Sequence, residues 1–126
     1  MEIVLETEER IRLVAGGEGF AFEAGDTGLS PFHLLAAGLA TCTHSVLVGW
    51  AEHAGLPLDG LEIVVEWELG DEPVRVTRMD MRIAWPGLPP ERHPAAARAA
   101  ALCTIHNTLS HGTTVETRVA DSEEKE

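Results

Sequence analysis

Two cysteines and six histidines are the residues of this 126-residue chain best suited to chemistry. Cys42 lies inside the apolar stretch "SPFHLLAAGLATCTHSVLVGWAEHAG" (30–55), and Cys103 opens "CTIHNTLSHGTTV" (103–115). Two thiols that meet can work as a redox pair: one attacks as thiolate and the other closes a disulfide. Held apart, they are small buried hydrophobes, and spacing alone leaves both readings open. The competing use is metal binding, since His33, His44, His106 and His111 accompany the thiols. Cys42 and His44 are two apart on a helix, however, which splays them, and no C-x-x-C pair occurs. No metal and no cofactor are therefore expected. A G-x-S-x-G turn and a glycine-rich phosphate loop are both absent from the sequence.

The elements that must position the cysteines can be read from capping and periodicity. Ser30 is a good N-cap, Pro31 suits the first helical position, and Gly55 followed by Pro57 is a stop signal. The helix between them would be about 36 Å long, enough to cross a bilayer. His33, Thr41, Thr43, His44, Ser45 and Glu52 interrupt it and no basic flanks anchor it, so a core helix is expected and no membrane contact. It has no broad polar face, so it must be covered on most sides, which points to a second copy of the chain. A second helix is expected over 91–112, with Pro94 in its first turn. Small residues form one stripe on each helix: Gly38, Cys42, Ser45 and Gly49 on the first, Ala96, Ala100, Cys103, Asn107 and Ser110 on the second. Close approach along these stripes would allow the two cysteines to meet.

Around the helices the pattern is that of strands. "RIRLVA" (10–15) and "EGFAFEA" (18–24) flank Gly16-Gly17, a hairpin signal. "LEIVVEWEL" (61–69) alternates, with Leu61, Ile63, Val65, Trp67 and Leu69 on one face and Glu62, Glu66 and Glu68 on the other. In "VRVTRMDMRIAW" (74–85) the apolar phase slips between Val76 and Met79, which predicts a bulge near Thr77-Arg78 or an end to core packing before it. "TTVETRV" (113–119) reads as a last short strand. Segregated strands and helices give an α+β class. The expected organisation is one domain over 1–120 and an acidic disordered tail, "DSEEKE" (121–126). A net charge of −12 argues against nucleic acid and anionic membrane surfaces as partners. The acidic start "MEIVLETEER" lacks the basic region of a signal peptide, so a cytoplasmic protein is expected.

Pro31, a run of Leu and Ala, and then Cys42 strongly resemble the first motif of the OsmC/Ohr family (osmotically inducible protein C and organic hydroperoxide resistance protein). "CTIHNTLSHGTTV" resembles its second motif, and the element order is similar over roughly residues 10 to 119. The resemblance implies an intertwined homodimer with antiparallel sheets wrapped around long central helices and active sites at the subunit interface. It also implies a thiol-dependent peroxidase for organic hydroperoxides, with Cys42 as attacking residue, Cys103 as resolving residue and an external dithiol as reductant. Phe32, Leu35, Leu39, Trp50, Met79 and Met81 could line the substrate pocket. The sequence departs from the family pattern at several points. Phe32 stands where the peroxidases carry glutamate, and His33 where a broader branch carries an acid. Neither Arg10 nor Arg12 matches the expected arginine, and Thr104 replaces the usual proline after the second cysteine. His33 and His106 are candidates to support the thiolate in their place. The alternative is an OsmC-fold protein without efficient peroxidase activity, serving small apolar ligand binding or redox response.

Overall fold

The computed structural model describes residues 1–16, 19–23 and 28–121. Five strands, β1 (Glu2–Thr7), β2 (Arg10–Val14), β3 (Ala21–Glu23), β4 (Glu62–Gly70) and β5 (Arg75–Ala84), form one sheet in the order β3-β1-β2-β4-β5. The helices are α1 (Pro31–Ala54), α2 (His93–Ala100) and α3 (Thr104–His111). Ile3, Leu5, Ile11, Leu13, Ile63, Val65 and Trp67 are buried between the sheet and the helices. On the other side of the sheet, Arg10 pairs with Glu6 at 2.7 Å and Glu66 at 2.9 Å, and Arg12 pairs with Glu6 at 3.0 Å. This is a two-layer α+β architecture.

The expected hairpin across Gly16-Gly17 does not form. β1 lies between the two segments: it pairs with β2 antiparallel and with β3 in parallel, Ile3 opposite Phe22. The glycine pair suggested a tight turn, but the buried pair Ile3 and Leu5 gives β1 the stronger claim to the position beside β2. Gly17, Glu18, the end of the second segment at Ala24, and residues 122–126 of the acidic tail lie outside the described residues.

In β4, Leu61, Ile63, Val65 and Trp67 are buried as the alternation predicts, but Val64 on the opposite face is buried too, and Leu69 is 44% exposed at the hairpin end. β5 carries the phase slip as a bulge. Arg78 lies opposite Glu68 and Val76 opposite Leu69, so Thr77 is the extra residue. The insertion returns Val76 to the face of Met79, Met81 and Ile83, all packed against the core, while Val74 lies beyond it, exposed. Gly70 makes room for the bulge, since a Cβ there would come within 2.5 Å of the Thr77 methyl.

α1 has the predicted limits. Ser30 Oγ accepts from the His33 N–H at 3.3 Å, and Gly55 closes the helix in the left-handed conformation (φ 69°). By length and composition α1 could cross a membrane. Here it is the core helix, with His33, Ala36, Ala37, Ala40, Thr43, Leu47 and Ala51 buried at helical spacing.

Two expectations fail in the C-terminal half. The helix over 91–112 is divided into a 3-10 turn (Pro90–Arg92), α2 and α3, with the break at 101–103. Cys103 takes an extended conformation (φ −59°, ψ 133°), and its sulfur accepts from the His106 N–H at 3.4 Å as the N-cap of α3. The small-residue stripe through Ala96, Cys103 and Ser110 therefore does not run down one helix. The expected strand over 113–119 is not formed either, and Val115 and Val119 are 82% and 97% exposed. A strand requires a neighbour to take its backbone hydrogen bonds, and no strand among the described residues pairs with this segment.

Candidate active site

The break before α3 shapes the site. The first N–H groups of a helix have no partner within it. Those of Thr104 and Ile105 lie near enough to the Cys42 sulfur, midway along α1, to favour its thiolate. The Cys103 thiol, at the cap position itself, donates to the same sulfur. Burial alone would push the Cys42 thiol up, but these three donors outweigh it and hold it below its ordinary range. Cys103 moves the opposite way. Burial raises it first and its bond to Cys42 adds to this, against the N–H groups of His106 and Ile105 and the hydroxyl of Thr43. Two free thiols are thus neighbours, the Cys42 thiol lowered and the Cys103 thiol raised from their ordinary values. Backbone dipoles at a helix start take the place of an acid–arginine pair.

A cavity of about 450 Å³ opens between α1, β5 and α3. Phe32, Leu35, Leu39 and Met79 line it, together with Val76, Leu109 and His106. Leu39 lies one turn before Cys42 and His106 one turn after the Cys103 cap, so these residues mark the end nearest the sulfurs. His106 Nδ1 is shut away from solvent without a hydrogen-bond partner. Thr77 and Arg78, turned by the bulge, form part of the β5 wall. Arg78 is the cavity's guanidinium, held by Asp80 through two contacts of 2.8 Å. The phase slip was its signal in the sequence.

The other candidate residues lie elsewhere. His33 is buried with both ring nitrogens engaged: Nδ1 accepts from the Ser30 N–H at 3.0 Å, and Nε2–H donates to the Thr7 carbonyl at 2.8 Å. It performs at the third helical position the task usually given to glutamate or glutamine, and it ties α1 to β1. It lies nine helical positions before Cys42, roughly 13 Å along the axis. Met81 lines a second recess of about 420 Å³ with Trp85 and Leu88. Trp50 stacks edge-on against Trp85, with ring centroids 5.9 Å apart. The thiolate's main-chain donors could not be read from residue types, because any residue supplies an N–H.

The profile of OsmC-like protein matches residues 24–118. The chain belongs to the OsmC-like family. Solved structures share its fold at low identity. One is an osmotic stress induced and detoxification response protein from Psychrobacter arcticus 273-4, 22% identical, with a TM-score of 0.59 over 67% of this chain. Another is an OsmC-like hydroperoxide resistance protein from Jannaschia sp. CCS1, 21% identical, with a TM-score of 0.57 over 78% of this chain. The match covers 61% of the length of the first and 72% of the second. No curated protein matches the chain. The long apolar helix of this OsmC-like chain packs in the core.

Proposed function

We propose that this OsmC-like protein is a cytoplasmic, thiol-dependent peroxidase that reduces organic hydroperoxides. The observation that carries the reading is the pairing of two free thiols whose proton affinities are driven apart; a largely apolar cavity, which neither sulfur lines, reaches Leu39 and His106, each one helical turn from a cysteine. The Cys42 thiolate attacks the terminal oxygen of R–O–O–H. An S–O bond forms as the O–O bond breaks, the sulfur gives up two electrons, and the departing alkoxide takes a proton to become the alcohol. Cys103 then displaces hydroxide from the Cys42 sulfenic acid, giving a disulfide and water. Two electrons from an external dithiol restore both thiols. Phe32, Leu35, Leu39 and Met79 seat the organic part, with His106 at the sulfur end.

The test is an anaerobic thiol titration before and after one equivalent of cumene hydroperoxide. Two thiols per chain should be lost within the mixing time of a manual assay. Because Cys42 ionises below an ordinary thiol, the rate should rise with pH and level off earlier than that of a free cysteine. If both thiols persist, the peroxidase reading fails and apolar ligand binding becomes the better account of the cavity.

The same proposal includes a homodimer formed by one domain over residues 1–120. α1 leaves Leu34, Leu35, Ser45 and Gly49 exposed along one side, and Leu102 and Leu109 are exposed nearby in the chain's second half. Burying these together fits an apolar interface of the obligate type. Sedimentation at sub-micromolar concentration should give a single species of twice the chain mass that unfolds in one transition. A folded monomer there would overturn the assembly.

A further inference from the structure

Hydroxyls on these helices commonly turn back to a carbonyl one turn earlier. Thr41 donates to Gly38 O at 3.2 Å, Thr108 to Thr104 O at 2.9 Å and Ser110 to His106 O at 2.8 Å. Thr43 does not. It is 0% exposed, and its Oγ1 makes no hydrogen bond. Its hydroxyl lies beside the Cys103 sulfur, near enough to favour that thiolate but without bonding to it at rest. A buried hydroxyl without a partner costs stability, and retaining one calls for a reason.

We propose that Thr43 is the positioning residue of the resolving step: its hydroxyl donates to the Cys103 sulfur while that sulfur attacks the oxidised Cys42. The inference rests on the peroxidase reading. At rest the Cys103 thiol, raised by burial, donates to the Cys42 sulfur, and that bond favours the Cys42 thiolate. Oxidation converts that thiolate to S–O–H and removes its negative charge. Cys103 must then act as a nucleophile in a buried place, and charge-assisted donors are the strongest support available there. The N–H of Ile105 is shared with Cys42, whereas the Thr43 hydroxyl serves no other group. As the S–S bond forms and the S–O bond breaks, hydroxide leaves with the Cys103 proton as water. The competing reaction is a second hydroperoxide that oxidises the sulfenic acid to sulfinic acid and leaves as alcohol, an outcome a dithiol cannot reverse. Thr43 therefore sets the partition between the recyclable and the terminal state.

Thr43→Val, nearly the same shape, is the test. Stopped-flow kinetics would follow the loss of the first thiol and the disulfide separately, and mass spectrometry would score Cys42 sulfinic acid. Disulfide formation should slow about tenfold. Sulfinic acid should accumulate at hydroperoxide concentrations that leave the parent as disulfide. Thermal stability should equal or exceed the parent's, which separates the effect from damage to the fold. Thr43→Ser keeps the hydroxyl and should keep the parent partition. A Thr43→Val variant that resolves at the parent rate, or a Thr43→Ser variant that over-oxidises like it, overturns the inference alone. Parent protein inert to hydroperoxide overturns the peroxidase reading and this inference with it.

Discussion

Cys42→Ser is expected to reduce hydroperoxide consumption to that of buffer alone, whereas Cys103→Ser should consume one equivalent and stop. In the proposed reaction Cys42 carries the attacking electron pair, and among the described residues no other side chain has the Thr104 and Ile105 N–H groups together with the Cys103 thiol beside it. A serine hydroxyl in that place remains protonated and cannot make the displacement. Cys103 has two tasks, and two substitutions separate them. Serine at this position still donates to the Cys42 thiolate, so the first oxidation proceeds near the parent rate and ends at sulfenic acid, passing to sulfinic acid with excess peroxide. Cys103→Ala removes the donor as well, and the first oxidation should itself slow several-fold, since hydrogen bonds to charged groups are worth about 1.5–3 kcal/mol before other donors compensate. Peroxide consumption and the mass of the Cys42 peptide measure both effects. Parent-like consumption by Cys42→Ser and Cys103→Ser together would make the cysteines ordinary core residues.

What could be read in advance divides along a physical line. α1 was legible to its ends because capping is local: Ser30, Pro31 and Gly55 act on the residues beside them. The β5 bulge was legible because side chains alternate with a period of two, so a slip between Val76 and Met79 needs an extra residue. β1 was hidden because its partners are set by the whole sheet; the glycine pair drew attention to a turn while the pairing went to Ile3 and Leu5. The division of the second helix was obscured by alanine, which favours helix throughout 95–101. Its one clue was the position after Cys103, which the family pattern fills with proline, a residue at home in the first turn of a helix. Of the site, the cysteines and the apolar wall of the cavity were accessible as residue types. His33 suggested support for a thiolate and instead completes a cap, because a histidine's role depends on what its two nitrogens meet.

The position after Cys103 also allows the thiolate's support to be removed without touching either sulfur. Thr104→Pro should slow the oxidation of Cys42 by about ten- to a hundredfold at neutral pH, the effect of losing one charge-assisted hydrogen bond of about 1.5–3 kcal/mol. Thr104 is the first residue of α3, exposed, and its N–H is one of those the helix itself does not use. Proline fits there, and Cys103 already has the extended conformation that precedes proline (φ −59°, ψ 133°). The variant should therefore fold, with the Ile105 N–H and the Cys103 thiol still directed at Cys42. The sign of the change follows from the missing donor. With less stabilisation of the charged form, Cys42 ionises at higher pH, less thiolate is present at neutrality, and the rate–pH profile moves to higher pH. At pH values where both are fully ionised the difference should close or reverse, because the more basic thiolate is the better intrinsic nucleophile. A variant whose profile coincides with the parent's would mean that the Thr104 N–H does not hold the thiolate, and that activation of Cys42 comes from its other donors.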